Sequence, residues 1–437
     1  MIAALLFFLV VTSLVWRIPL FRSKPFPPLT AVTLWLVKAS FGIALWAVYT
    51  FYYTDRINSD IYKYFDDALV LEQARIHGNG EAWAAVMLGQ PAATADSLVG
   101  QLKNWERNFN KAVPVNENQL MIRIHALLLP LTKGNIHLHL LLFSFLSFIG
   151  IWLLVLAFLS IAAEINWRYA LAPVLFPSLL FWTGGGLKEA FLLLGFGLLL
   201  FGLFQRKQPL LLSVLMGISG FILIAVFRYY LALCLTAPIL GVLYSRSQLP
   251  AIPIPRISST ASCFLTANLM ALIILMAIAP MDRKLNFPRV MARKQQHAIA
   301  EAQYMKAGSY CDVPKIDSTF PSVIIHLPQG LYYTYTRPSM GQSKNPVMLL
   351  SALENTAVFL ALIGALAWWF RNKKQQSFSN EERSALFFAL NVILLYGALI
   401  GLTTPVMGNL VRYKVFLLPM TAWIIILMTK KWHQAGG

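Results

Sequence analysis

Long apolar runs alternate with polar breaks along this chain, and a membrane-spanning helix needs about 20 predominantly apolar residues. On that criterion the pattern predicts helices at 1–16, 29–53, 136–162, 170–183, 187–204, 209–226, 229–244, 259–280, 347–369, 384–403 and 413–429. A further apolar stretch, 120–131, is too short to span and reads as re-entrant or interfacial. Two long, mainly polar segments interrupt the pattern, 54–135 and 281–346. The expectation is an all-α, polytopic integral membrane helix bundle of about 11 transmembrane helices, a single transmembrane domain over 1–437.

Composition agrees. Of the 437 residues, 58% are hydrophobic and only 12% charged, about half the charged share of a soluble domain. That excludes an ordinary soluble enzyme and a disordered chain. There is no internal repeat, no P-loop and no Gly-x-Gly-x-x-Gly following a strand, so a soluble nucleotide donor on a cytoplasmic domain is not expected. The three cysteines, Cys234, Cys263 and Cys311, make neither a disulfide framework nor a metal site.

The net charge of +18 would suggest nucleic acid in a soluble protein. Here the basic residues flank apolar helices, as they do on the cytoplasmic side of membrane proteins, and no nucleic-acid partner is expected. The run 1–16 has its positive charges after it, at Arg17, Arg22 and Lys24. That is the pattern of a retained helix with its N-terminus outside. On that orientation the short inner loops hold fourteen basic residues and the short outer loops four, Lys188, Arg228, Arg412 and Lys414. The inner set continues through Arg168, Arg206, Lys207, Arg246, Arg256, Arg371, Lys373, Lys374, Arg383, Lys430 and Lys431. The C-terminus is then cytoplasmic, and both long segments form outer-face loops.

Four constellations of polar residues carry candidate chemistry. The first follows the second helix: Asp60, Lys63, Tyr64 and Asp67 share one helical face. Asp60 is either a general base toward an acceptor hydroxyl or a partner of Asp67 in holding a divalent ion, Mg or Mn. The alternative is a solvated juxtamembrane helix with Asp66 facing water. The second is Pro177–Glu189, where Gly184, Gly185 and Gly186 separate two apolar helices. Uncovered backbone N–H groups at the start of the next helix, with Lys188 beside them, suit a phosphate. A plain hairpin turn, with Glu189 complementing the helix dipole, is the bland reading. The third is a set of outer arginines, Arg228, Arg337 and Arg412, with Lys414, among interfacial tyrosines. Arginine grips phosphate bidentately. The fourth is Glu354-Asn355, about two turns into its helix, read as a supporting ion pair. His137 and His139 are two apart and form no zinc pattern, so an interfacial or core role is expected.

A multi-pass helical protein with acidic residues in its first long outer loop resembles the GT-C class of membrane glycosyltransferases. Locally, Pro177–Glu189 resembles a Pro-Ser-x-x-Phe-Trp-(Ser/Thr)-x-Gly-x-x-Lys-Glu stretch of bacterial envelope glycosyltransferase-like proteins. Asn409-Leu410-Val411-Arg412-Tyr413-Lys414 is similar to their closing Arg-Tyr-(Arg/Lys) motif, and Lys344-Asn345-Pro346 through Leu353-Glu354-Asn355 fits the same group. The chain differs from better-known members in lacking a clean Asp-x-Asp pair in its first acidic loop.

The resemblance implies a bacterial cytoplasmic (inner) membrane protein with its active face outward. It would transfer a sugar from a polyprenyl-phosphate-linked donor to an acceptor glycan or lipid, with Asp60, or its rivals Asp66 and Asp67, as the catalytic carboxylate. Lys188, Arg228, Arg337, Arg412 and Lys414 would hold the lipid phosphate. Two other readings stay open: an O-antigen or exopolysaccharide polymerase or ligase relying on arginines without metal, and a non-catalytic transporter or assembly subunit.

Overall fold

The computed structural model describes residues 2–437 apart from 54, 57–58, 90–92, 106–115, 163, 206, 248, 256, 284, 373–376 and 431–437. The inner-loop charges Arg206, Arg256, Lys373, Lys374 and Lys431 lie outside the described residues. Among the described residues the regular structure is all helical. In chain order the first helices are α1 (Ile2–Arg17), α2 (Thr30–Ala47), α3 (Asp60–Ile76), α4 (Gly80–Leu88), α5 (Ala93–Val99), α6 (Glu117–Thr132) and α7 (Ile136–Ile161). There follow α8 (Trp167–Leu171), α9 (Pro177–Trp182), α10 (Glu189–Phe204), α11 (Leu210–Phe227), α12 (Tyr229–Arg246) and α13 (Ser259–Ile278). The last are α14 (Phe287–Tyr304), α15 (Phe320–Thr336), α16 (Pro346–Asn372), α17 (Asn380–Val392), α18 (Ala398–Thr403), α19 (Met407–Lys414) and α20 (Leu417–Met428).

Among the described residues, seven helical stretches are long and apolar enough to cross a membrane. They are Thr30–Tyr52, Ile136–Ile161, Leu210–Phe227, Tyr229–Arg246, Ser259–Ile278, Pro346–Asn372 and Asn380–Thr403. The pair α19 and α20, bent by 54°, makes an eighth if it is one span. The other three predicted spans look different. α1 and α10 are apolar but shorter. The run 170–183 is broken into α8, a 3-10 turn and α9. Pro173 and Pro177 explain the break, because proline withholds the N–H that a continuous helix needs.

The chain divides into two compact units. Unit 1 is Met1–Leu153, Leu180–Leu199 and Ile218–Tyr229. In it the first polar segment folds into amphipathic helices. α6 buries Met121, Ile122, His125, Ala126 and Leu129, a stripe at helical spacing, and α3 packs against it with Ile61, Tyr64, Phe65, Ala68 and Leu71 buried. α1 meets α2 through a Phe8–Trp35 stack at 5.9 Å. α7 and α10 approach at Gly150 and Gly197, where an added Cβ would collide with backbone. Small residues at such crossings let apolar helices pack by close backbone contact.

Unit 2 is Leu154–Leu179, Leu200–Gly217 and Tyr230–Gly437. Here Gly330 of α15 abuts Gly401 of α18, and Thr334 Oγ1 donates to the Gly397 carbonyl at 2.7 Å. Trp423 of α20 is fully buried and stacks on Phe158 at 5.3 Å. The second polar segment supplies α14 and α15. Fully buried Gln295 of α14 donates to the carbonyls of Pro314 (2.9 Å) and Leu402 (2.6 Å) and accepts from the Ile316 N–H (3.0 Å). One side chain thereby ties this segment to the end of α18.

Candidate functional site

In unit 1 three helices begin at one place. α3 starts at Asp60, α6 at Glu117 and α10 at Glu189, each with an acidic residue in its first turn. An acid there complements the helix dipole. The glycine turn draws the three starts together. Gly185 and Gly186 have φ of +124° and +74°, conformations that suit glycine and strain other residues. A Cβ on Gly185 would collide with the Leu140 carbonyl, and one on Gly186 would lie 3.1 Å from Ile61 Cβ, beside Asp60. Leu187 is buried with Leu45, Ile61 and Tyr62. The next side chain, Lys188, pairs with Glu117. The one after it, Glu189, pairs with Arg228 at 2.7 Å, with the two side chains 0% and 1% exposed.

The entry to the turn is held from below. Lys38 of α2 is fully buried, donating to the Leu180 carbonyl at 2.8 Å and Thr183 Oγ1 at 2.7 Å. Ser147 Oγ donates to the Thr183 carbonyl at 2.8 Å. These donors satisfy the last carbonyls of α9, which the break leaves without intrahelical partners. An apolar groove of about 420 Å³ reaches the same place. Leu5 and Phe8 of α1, Ile43 and Trp46 of α2, Leu140 of α7 and Gly184 line it.

The sequence-predicted carboxylates of α3 have distinct surroundings. Asp60 pairs with Lys63 at 2.5 Å, and both side chains are partly exposed. Asp66 takes a two-point grip from Arg56, at 2.7 and 2.9 Å. Asp67 is buried and accepts from the Asn104 N–H at 2.7 Å and the Lys103 N–H at 3.1 Å. Burial raises its pKa above the ordinary carboxylate range, and the two N–H donors offset part of that rise. Asp67 thus fastens the loop at 103–104 to α3. Among the described residues no group of three or more His, Cys, Asp or Glu side chains is placed to share a metal ion. With Asp60 held by Lys63 and Asp67 by backbone N–H groups, this pair does not fit a divalent-ion site.

The remaining predicted residues lie in unit 2. Lys414 of α19 is buried and donates to the Arg337 carbonyl at 3.1 Å and to Asn355 Oδ1. Asn355 Nδ2 in turn donates to the Pro338 carbonyl at 3.0 Å. Arg337 donates to the Asp312 carbonyl at 2.6 Å and lies over the Tyr333 ring at 3.5 Å. Glu354 accepts the Ser178 N–H at 2.9 Å and acts electrostatically on Lys414. Arg412 is buried one half-turn before Lys414, while Asn409 is exposed.

Three functional-site features are absent from the sequence reading. Glu117 is the partner of Lys188, yet Asn116-Glu117-Asn118 reads as an ordinary capped helix start. Lys38 lies within an apolar run and is sealed against the end of α9. His125 and His139 stack with ring centroids 5.0 Å apart and Nδ1 atoms at 2.9 Å, and Thr132 meets His139 Nε2 at 2.7 Å. Burial, then the neighbouring ring, push His125 well below the ordinary imidazole pKa. Comparison with known proteins finds no matching family model, no matching curated protein and no matching solved structure.

Proposed function

We propose that this chain is an outer-face glycosyltransferase of the cytoplasmic membrane, a bundle of about 11 transmembrane helices in the orientation set by its loop charges. It moves a sugar from a polyprenyl-phosphate-linked donor to an acceptor glycan or lipid. One observation carries the reading: the apolar groove is lined in part by Gly184, the first residue of the turn that leads to Lys188 and three helix N-termini. A lipid-linked phosphate has this two-part chemistry, an apolar chain and an anionic head. The chain lies in the groove, and the head meets the positive helix ends and Lys188.

In the reaction the acceptor oxygen bonds to the anomeric carbon while the bond from that carbon to the phosphate oxygen breaks. The electron pair stays on the phosphate, where Lys188 and the helix ends stabilise the developing charge. The hydroxyl proton passes to a carboxylate, Asp60 or its neighbour at the turn, Glu117. Arg228 acts through Glu189, fixing the start of α10. The supporting cations Arg337, Arg412 and Lys414 belong to unit 2.

The test is thin-layer analysis of lipid-linked glycans from cells with and without the gene, joined to transfer assays on purified protein with and without EDTA. Loss of one sugar addition, restored by the wild-type gene and not by Lys188→Ala, is the expected result. Accumulation of single repeat units would instead favour a polymerase or ligase. That second reading draws on the way Gln295 binds the outer segment to the helix break before Arg412. Unchanged glycans would favour a non-catalytic assembly role.

A further inference from the structure

Unit 2 contains a second cavity, of about 430 Å³, outside the groups just described. That is within the roughly 300–1,000 Å³ of small-molecule sites. One wall is a face of α14 carrying Lys294, His297 and Glu301 at helical spacing. The other is the extended break between α18 and α19, with Thr404, and then Asn409 and Tyr413 one turn apart on α19.

The walls are fixed to one another by main-chain hydrogen bonds. Besides the Gln295 bracket, the Cys311 N–H donates to the Pro405 carbonyl at 2.7 Å and the Met407 N–H to the Ser309 carbonyl at 2.9 Å. Tyr310 and Val406 form an antiparallel bridge. The cavity is therefore built before any ligand arrives, which lowers the ordering cost of binding.

Its polar groups are varied rather than uniform. Lys294 supplies a cation, poised 2.9 Å over the Tyr230 ring. Asn409 supplies both amide donors and an acceptor, Thr404 and Tyr413 hydroxyls, and His297 and Glu301 a pair 4.0 Å apart. Ala298, Ala302 and Pro405 give apolar floor between them. A ligand matching this set carries several hydroxyls, small apolar faces and one anionic group. The segment around it has nine basic residues against four acidic ones over 281–346, which raises the local concentration of anions.

We propose that this cavity binds a sugar bearing a carboxylate or phosphate, with Lys294 on the anionic group and Asn409 and Tyr413 on the hydroxyls. It rests on the reading of the chain as a glycan-handling enzyme and serves as the seat of the glycan rather than of the lipid-linked donor.

The test is calorimetric binding to the full-length protein in lipid nanodiscs, with no donor present. Three probes are used: a glucuronate-containing tetrasaccharide, glucose 1-phosphate and neutral maltotetraose. Binding of either anionic probe at least about tenfold tighter than maltotetraose is expected, and the preferred one identifies carboxylate or phosphate as the group recognised. Lys294→Gln should weaken that probe about tenfold and reduce its salt dependence. Asn409→Ala, at an exposed position, should weaken it with the melting temperature unchanged. Equal binding of all three probes, binding of none, or unchanged affinity in both variants overturns the proposal. Transfer without probe binding sinks this site alone, whereas probe binding without transfer sinks the glycosyltransferase reading and leaves a glycan-binding site.

Discussion

Arg228 and Lys414 are both cations sealed inside helical bundles, yet they are satisfied in different ways. Arg228 faces the equally buried carboxylate of Glu189. Lys414 is held mainly by neutral oxygens, the Arg337 carbonyl and Asn355 Oδ1, with Glu354 acting at longer range. A cation matched by a carboxylate is locked, because removing either partner strands the other charge away from water. A cation held by neutral oxygens leaves no opposite charge behind at contact distance when it is removed, so losing it costs hydrogen bonds rather than stranding an ion. The Arg228–Glu189 pair behind the glycine turn is therefore a charge-balanced frame, whereas Lys414 in the closing motif of unit 2 is held by hydrogen bonds to neutral groups.

The sharpest way to break this contrast is Glu189→Ala. It should destabilise the protein by about 3–5 kcal/mol, since the buried Arg228 loses its carboxylate. Thermal unfolding in detergent, followed by tryptophan fluorescence, measures the loss. Combining Glu189→Gln with Arg228→Gln should recover much of it, because neither charge then remains. A single variant as stable as wild type would mean that water reaches Arg228.

Next in size is a kinetic effect. Lys188→Ala should lower sugar transfer by about 10²–10³-fold, the usual consequence of removing one donor aimed at developing charge. Its effect on stability should be small: Glu117 is 34% exposed, and partly exposed pairs contribute about 0–1 kcal/mol. Single-turnover assays beside melting curves separate the two. Equal loss of stability and activity would make Lys188 another part of the frame.

Lys414→Met should cost about 1–3 kcal/mol, the desolvation left behind when Asn355 and the Arg337 carbonyl lose their donor. This is smaller than the Glu189 effect, and that ordering is the direct check on the contrast. A larger loss at Lys414 would show Glu354 to be its principal partner.

The contrast also marks what could be read from the sequence. The membrane class and eight of the apolar stretches, counting the bent pair, follow from hydropathy alone, because a bilayer demands long apolar helices. The glycine turn with Lys188 was legible because three consecutive glycines break a helix and permit a tight turn between two apolar runs. The break at Pro173 and Pro177 was not read, since the apolar run outweighed the prolines. Glu117 lies 71 residues from Lys188, and nothing local distinguishes it from a helix-capping acid. Lys38 needed the end of α9 for its explanation, 142 residues away at the Leu180 carbonyl. Partners of that kind belong to packing, which periodicity does not encode.

The smallest expected effect concerns the stacked histidines, a third kind of buried polar pair that stays uncharged. His125 is fully buried beside Phe65 and Phe143, with His139 sharing its Nδ1 hydrogen bond. Its lowered pKa means that the folded protein resists protonation there. The unfolded chain takes up a proton near the ordinary value of about 6.5. The sign follows from linkage: the contribution is present in full above that pH and is lost as pH falls toward the lowered folded value. The melting temperature should therefore drop between pH 7.5 and pH 5. His125→Phe, which keeps a ring in the stack but removes the titrating group, should flatten part of that drop while lowering stability at pH 7.5 through the lost bond to His139. If the variant's pH profile were parallel to wild type, the imidazole would be taking up its proton without cost, and the pair would be open to water rather than sealed between α6 and α7.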